Sequence, residues 1–271
     1  MVKIVSGVLV VLTLAFLYFF VTDFMKNKDK LSQTGWGKLL GTGFITDFLD
    51  TLGIGSFAPT TAIFKFGKMV DDRLIPGTLN VGRTVPVVLH ALLFMTAIDV
   101  EPITLVCLLF AATLGAVIGA GLVSKLPVKQ IRIGMGIALL AVAFTMLAGK
   151  MGWMPSGGEA IGLTGGKLII GIIGNFILGA LMTIGVGLYA PCMALVYALG
   201  MSPRVAFPIM MGSCAFLMPA AGMKFVKEEA QDRKASMALT IGGAIGVFIA
   251  YYIVKSLPLS LLTWLVILVI V

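Results

Sequence analysis

Long apolar runs separated by short charged loops fill this chain. Hydrophobic stretches, most of about 18 to 22 residues, fall near 4–24, 75–97, 102–123, 130–148, 203–222, 236–254 and 257–271. Runs of this length suit membrane-crossing helices, and they are about twice as long as the ~10-residue alternating strands of a membrane barrel. Two longer apolar segments, 37–66 and 167–200, are broken by Gly and Pro near their middles. The pattern predicts an all-α integral membrane protein with about seven transmembrane helices plus two broken helical hairpins.

The two breaks are copies of one another. Thr51-Leu-Gly-Ile-Gly-Ser-Phe-Ala-Pro-Thr-Thr-Ala62 returns, without a gap, as Thr183-Ile-Gly-Val-Gly-Leu-Tyr-Ala-Pro-Cys-Met-Ala194. The same offset of 132 residues aligns Pro76 with Pro208, so the likeness extends beyond the motif and argues for duplication of a structural unit. The expected organisation is a single transmembrane domain over 1–271. Residues 1–35 add an N-terminal helix, 36–148 form the first repeat unit and 167–271 the second.

Charge placement gives an orientation. If each broken segment enters the bilayer and leaves on the same side, loops 25–36, 67–74, 124–129 and 223–235 share one face. That face carries Lys26, Lys28, Lys30, Lys38, Lys65, Lys68, Arg73, Lys125, Lys129, Arg132, Lys224, Lys227, Arg233 and Lys234, fourteen of the twenty basic residues. Lys3, Lys150, Lys167, Arg204 and Lys255 fall opposite. Basic residues gather in cytoplasmic loops, so the N-terminus is expected outside, the C-terminus in the cytoplasm, and the Asp99/Glu101 loop outside. An odd number of spans per unit then sets the second unit upside down, giving an inverted internal repeat of re-entrant hairpins.

Composition agrees with the membrane reading: 59% of residues are hydrophobic, 12% are charged, and mean hydropathy is +1.08. The net charge of +8 records orientation in the membrane rather than nucleic-acid binding. Cys107, Cys192 and Cys214 show no metal-ligand spacing, no ATP-binding motif is visible, and one histidine closes off most acid-base enzyme designs. An enzyme and a cofactor are therefore not expected. Apolar faces suit lipid and a second copy equally, which leaves a homodimer open.

The chemistry centres on the breaks. Gly53, Gly55, Gly185 and Gly187 permit positive φ and uncover backbone N–H groups, while Pro59 and Pro191 suit the first turn of a new helix. Two half-helices starting near the bilayer centre would point N–H groups and positive dipole ends at an anion. Ser56, Thr60 and Thr61 add hydroxyls. Arg83 lies about 12 Å into the span that starts near Ile75 and shares a helix face with Asn80 and His90. It is a candidate for substrate contact, as is Cys192 beside Pro191. Asp47 and Asp50 sit on one face upstream of the first break and suit a coupling proton or sodium ion; a structural ion pair with Arg83 or Lys65 is the alternative.

The stretches Gly41-Thr-Gly-Phe…Thr51-Leu-Gly-Ile-Gly-Ser-Phe-Ala-Pro and Gly174-Asn-Phe…Thr183-Ile-Gly-Val-Gly-Leu-Tyr-Ala-Pro resemble the duplicated Gly-rich motif of the TauE/SafE sulfite-exporter family, the group of 4-toluene sulfonate uptake permease-like transporters. The resemblance covers about residues 36 to 270. It implies a multi-pass carrier of the prokaryotic plasma membrane that exports sulfite, sulfoacetate or a related organosulfonate on an ion gradient. The residues themselves reach a small anion without choosing among oxyanions. An anion channel, a thiosulfate or other oxyanion uptake carrier using Cys192, and a sulfur-handling enzyme remain alternatives.

Overall fold

The computed structural model describes residues 2–51, 55–94, 100–153, 157–185 and 187–256. Gly53, Asp99 and the expected span 257–271 lie outside them. Among the described residues no strand occurs, and an isolated bridge joins Ala160 to Met201. The helices are α1 (Val2–Lys26), α2 (Trp36–Thr51), α3 (Phe57–Phe66), α4 (Ile75–Gly82), α5 (Thr84–Phe94), α6 (Pro102–Val123), α7 (Val128–Lys150), α8 (Gly165–Met182), α9 (Tyr189–Ala198), α10 (Pro203–Lys227) and α11 (Arg233–Ser256).

Five of these are long and apolar enough to cross a membrane: Ile4–Lys26, Pro102–Val123, Gly165–Met182, Arg204–Lys227 and Arg233–Ile253. The protein is thus an all-α, multi-pass membrane protein. The expected continuous span at 75–97 differs: it divides into α4 and α5 at Arg83. The cause is local. Pro86 has no N–H to give the Gly82 carbonyl one turn earlier, and that carbonyl instead accepts from Thr240 Oγ1 of α11 at 3.0 Å.

Burial follows helical periodicity. On α1 the stripe is Leu9, Thr13, Phe16 and Phe20; on α2 it is Leu39, Thr42, Gly43, Thr46, Asp47 and Asp50. Exposed Ile, Val, Leu and Phe cover the outer faces of α1, α6 and α8, as lipid-facing surfaces require.

Shifting the first set of helices by 132 residues lays it on the second. The bounds of α3 become 189 and 198, those of α9; α6 becomes 234–255, within one residue of α11; α4 and α5 together become 207–226, inside α10. Packing is reciprocal too. The most extensive helix contacts are α2 on α11 and α6 on α8, so each unit's first helix lies against the other unit's copy of one and the same repeated helix, α6 or its mate α11. Both seams are made of small residues that let backbones meet: a Cβ on Gly246 would reach the Phe44 carbonyl at 2.5 Å, and one on Gly115 would run into that of Phe176, the repeat mate of Phe44.

Hydrogen bonds tie the loops into two ends. At one end Thr34 Oγ1 donates to the Met69 carbonyl (2.6 Å), Ser32 Oγ to Asp232 Oδ1 (3.1 Å), Arg233 Nε to Asp23 Oδ2 (2.8 Å) and Arg132 Nε to Asp72 Oδ2 (2.6 Å). At the other end Glu101 N donates to the Ile161 carbonyl (2.9 Å), Leu163 N to Thr104 Oγ1 (2.8 Å) and Gly158 N to the Met201 carbonyl (3.0 Å). The start of α2 and the loop after α3 therefore share the basic end, whereas the start of α8 and the loop after α9 share the opposite one.

Candidate functional site

Arg83 is the largest side chain wholly removed from solvent among the described residues. It sits at the α4–α5 junction, eight residues or about 12 Å from Ile75, and the ten-residue α3 brings Thr60 to a similar depth from the same end. Nη1 donates to Asp47 Oδ1 at 2.5 Å, and Nη2 donates to Thr46 Oγ1 at 2.6 Å and to Thr60 Oγ1. Both threonine hydroxyls give their own proton to backbone carbonyls one turn back, Thr46 to Thr42 (2.7 Å) and Thr60 to Ser56 (2.8 Å). Each oxygen is thereby turned into an acceptor aimed at the guanidinium.

The cluster is not saturated. Three of the five N–H donors of an arginine are used in these bonds, and Nε has no partner among the described residues. Oδ2 of Asp47 likewise has none, and it lies against Gly243 of α11, where a Cβ would collide with it. Buried polar atoms left without partners are uncommon, and here two belong to the same ion pair.

Asp50, about one turn along α2 from Asp47, lies on the same buried stripe of that helix, nearer the break. Its carboxylate lies within reach of the hydroxyl and backbone N–H of Ser56, the residue that precedes α3, and of His90 of α5 and Arg83. A carboxylate of this chain therefore lies near the start of the first half-helix, where the helix dipole favours negative charge.

The second break has the same backbone and different chemistry. Gly55 and Gly185 hold φ of 84° and 108°, a region that only glycine enters freely. α9 starts at Tyr189 with Leu188 before it and no side-chain cap. Cys192 occupies the repeat position of Thr60 and is fully buried; Cys214 Sγ lies 3.9 Å from Met182 Sδ, and Met182 is the repeat mate of Asp50. Tyr189 lies within electrostatic reach of Asp50, Cys214 and Asp47, so the start of α9 adjoins the polar cluster of the first unit.

Of the residues expected from the sequence, Asp47, Thr60 and Arg83 form one cluster, with Asp50 and Ser56 beside it. Asn80 does not join through its amide, which folds back onto the Pro76 carbonyl (2.8 Å). Gly55, Pro59, Gly187 and Pro191 build the two turns and half-helix starts. Two neighbours were not anticipated. Thr46 could have been found as the residue beside Asp47 one turn before Asp50, and Tyr189 as the one aromatic of the repeat that gains a hydroxyl. No group of three or more His, Cys, Asp or Glu suited to a metal ion occurs among the described residues.

Comparison of the chain with protein-family models, with curated proteins and with solved structures gives no match.

Proposed function

We infer that the protein is a secondary carrier for a small anion, bound between the two half-helix starts and against Arg83. A buried arginine with unused donors, set at a helix break inside an apolar bundle, is the observation that supports this reading most. In it, hairpin α2–α3 and hairpin α8–α9 are re-entrant, enter from opposite membrane faces and form an inverted repeat. The basic end is cytoplasmic by charge, which puts the N-terminus outside.

The resting pairing of Arg83 sets the binding chemistry. Asp47 holds the position an anion would take, so substrate competes with that carboxylate, and Thr46 and Thr60 keep the guanidinium in place during the exchange. Sulfite and organosulfonates are the substrate class, on the strength of the motif resemblance to the TauE/SafE family.

Uptake of labelled sulfite into proteoliposomes under a pH gradient tests this, with sulfoacetate, thiosulfate and sulfate as competitors. Saturable uptake that falls at least tenfold in Arg83→Ala and is partly kept in Arg83→Lys is expected. Absence of flux with all four anions removes the substrate class, and steplike conductance in planar bilayers would favour a channel instead.

A further inference from the structure

We propose that Asp47 carries the coupling proton: a monovalent anion displaces its carboxylate from Arg83, and the freed carboxylate takes up one proton, so that anion and proton travel together. This deepens the carrier reading and rests on it.

The bonds around Asp47 leave its charge a single support. Oδ1 takes Nη1 of Arg83, and Oδ2 has no partner among the described residues. Three nearby hydroxyls are spent elsewhere: Thr46 donates to the Thr42 carbonyl (2.7 Å), Thr60 to that of Ser56 (2.8 Å) and Thr51 to the backbone carbonyl of Asp47 itself (2.9 Å). The wall beside Oδ2 offers no donor either. A Cβ on Gly243 would collide with that oxygen and would meet Pro86 Cγ at 2.7 Å; neither residue has a donor side chain, and the proline lacks a backbone N–H as well. Arg83 is therefore what sustains a carboxylate that is wholly shut off from solvent.

The exchange balances. At rest the guanidinium and the carboxylate cancel. With a monovalent anion on Arg83 the new pair cancels again, and Asp47 would be left as a lone charge in an apolar interior. One proton from water removes that charge. The carboxylate–guanidinium contact breaks, the anion–guanidinium contact forms, and one O–H bond forms on Asp47. Its carboxyl then offers the anion a hydrogen-bond donor where a like charge would have stood.

Asp50 on α2 and Tyr189 on α9 are the other titratable groups facing Asp47; α11 presents Gly243 there and α3 the Thr60 hydroxyl. The described hydrogen bonds of Arg83 go to Asp47, Thr46 and Thr60. Neither Asp50 nor Tyr189 thus loses a partner when the anion arrives, and neither alters the count.

Calorimetry of the purified full-length protein in two buffers of different ionisation enthalpy reads the proton count. The probes are methanesulfonate and, at acid pH, hydrogensulfite, both monovalent there. The wild type should take up one proton per anion, and its affinity should rise about tenfold per pH unit of acidification, because the bound state holds the extra proton. Asp47→Asn should bind without proton uptake and with an affinity independent of pH, whereas Asp50→Asn should keep an uptake of one. Binding without uptake in the wild type, uptake that survives Asp47→Asn, or uptake lost in Asp50→Asn overturns the proposal and leaves the carrier intact. Absence of binding by both probes overturns the carrier reading itself, and the coupling role with it. Infrared difference spectra of the wild type, bound minus free, need no variant: a carboxylic-acid C=O band that appears as the anion binds supports the assignment, and its absence refutes it.

Discussion

Arg83 and Asp47, 36 residues apart in sequence and both fully buried, meet at 2.5 Å where two helix breaks converge. Removing one partner of such a pair leaves a lone charge in a dry interior, which costs about 3–5 kcal/mol. Thermal unfolding in detergent should therefore show Arg83→Met well below the wild type. The double variant Arg83→Met/Asp47→Leu should recover most of that loss. If the double variant is no more stable than the single one, the two charges are not coupled.

Asp47→Asn separates competition from structure. It removes the negative charge that holds Arg83 at rest and keeps the shape, so anion affinity should rise, by tenfold or more where the carboxylate is the competitor. Equilibrium binding of labelled sulfite measures it, and weakened binding would place Asp47 among the groups that help the anion.

Glycine substitutions should sort by what a Cβ would meet. At Gly77 it would run into the Ala230 carbonyl and at Gly179 into that of Ala112, both rigid backbone, so Gly77→Ala and Gly179→Ala should each cost about 1–3 kcal/mol. Gly136 faces open space on α7, where alanine should be neutral or stabilising by up to about 1 kcal/mol. Equal melting temperatures for the three variants would contradict the packing.

The hairpin arrangement makes an accessibility prediction. Cysteines placed at Lys30, Lys68, Lys125 and Glu229 should react with a membrane-impermeant reagent from the same side, and those at Trp153 and Glu159 from the other. Labelling of position 68 from the side of position 159 would mean that α2 and α3 together cross the membrane.

Glu101 caps α6, accepting from the N–H groups of Ile103 (3.1 Å) and Thr104 (2.6 Å). Hydrogen bonds from Thr104, side chain first and backbone second, hold its carboxyl below the usual glutamate range. A lowered folded value means that the stabilisation is present above the ordinary glutamate range and is lost as pH falls through the lowered one. The melting temperature should decline with acidification in that window, and Glu101→Gln should remove this part of the decline.

Much of this could be read from the residues because lipid imposes simple rules. Apolar length located α1, α6, α10 and α11, and the recurrence of Gly-x-Gly and Ala-Pro at an offset of 132 located both breaks, since backbone geometry at Gly55 and Gly185 depends on residue type. The rarity of arginine in an apolar run singled out Arg83. An ion pair of Arg83 with the carboxylates of α2 was one of the two readings open from the sequence, and Asp47 forms it; which carboxylate, and the threonines beside it, were harder to see. Thr46 and Asp47 lie on a different helix, and helical spacing says which residues share a face without saying which faces meet. The roles of hydroxyls were hidden as well: Thr60 looked like a donor to an anion, but its proton goes to the Ser56 carbonyl and its oxygen receives Arg83. The division at Arg83 rested on Pro86 acting together with Thr240, a contact across 158 residues that no local pattern contains.

The reciprocal seams have a mechanical consequence. The first helix of each repeat, α2 or α8, is clasped by a helix of the opposite repeat, α11 or α6, through backbones too close to slide apart without opening a gap. In the proposed carrier neither repeat would swing alone: tilting one would drag the other's first helix by the same stroke. If the carrier reading holds, its gate would work like a rocker on a single pivot, where the lowering of one side and the raising of the other are the same event.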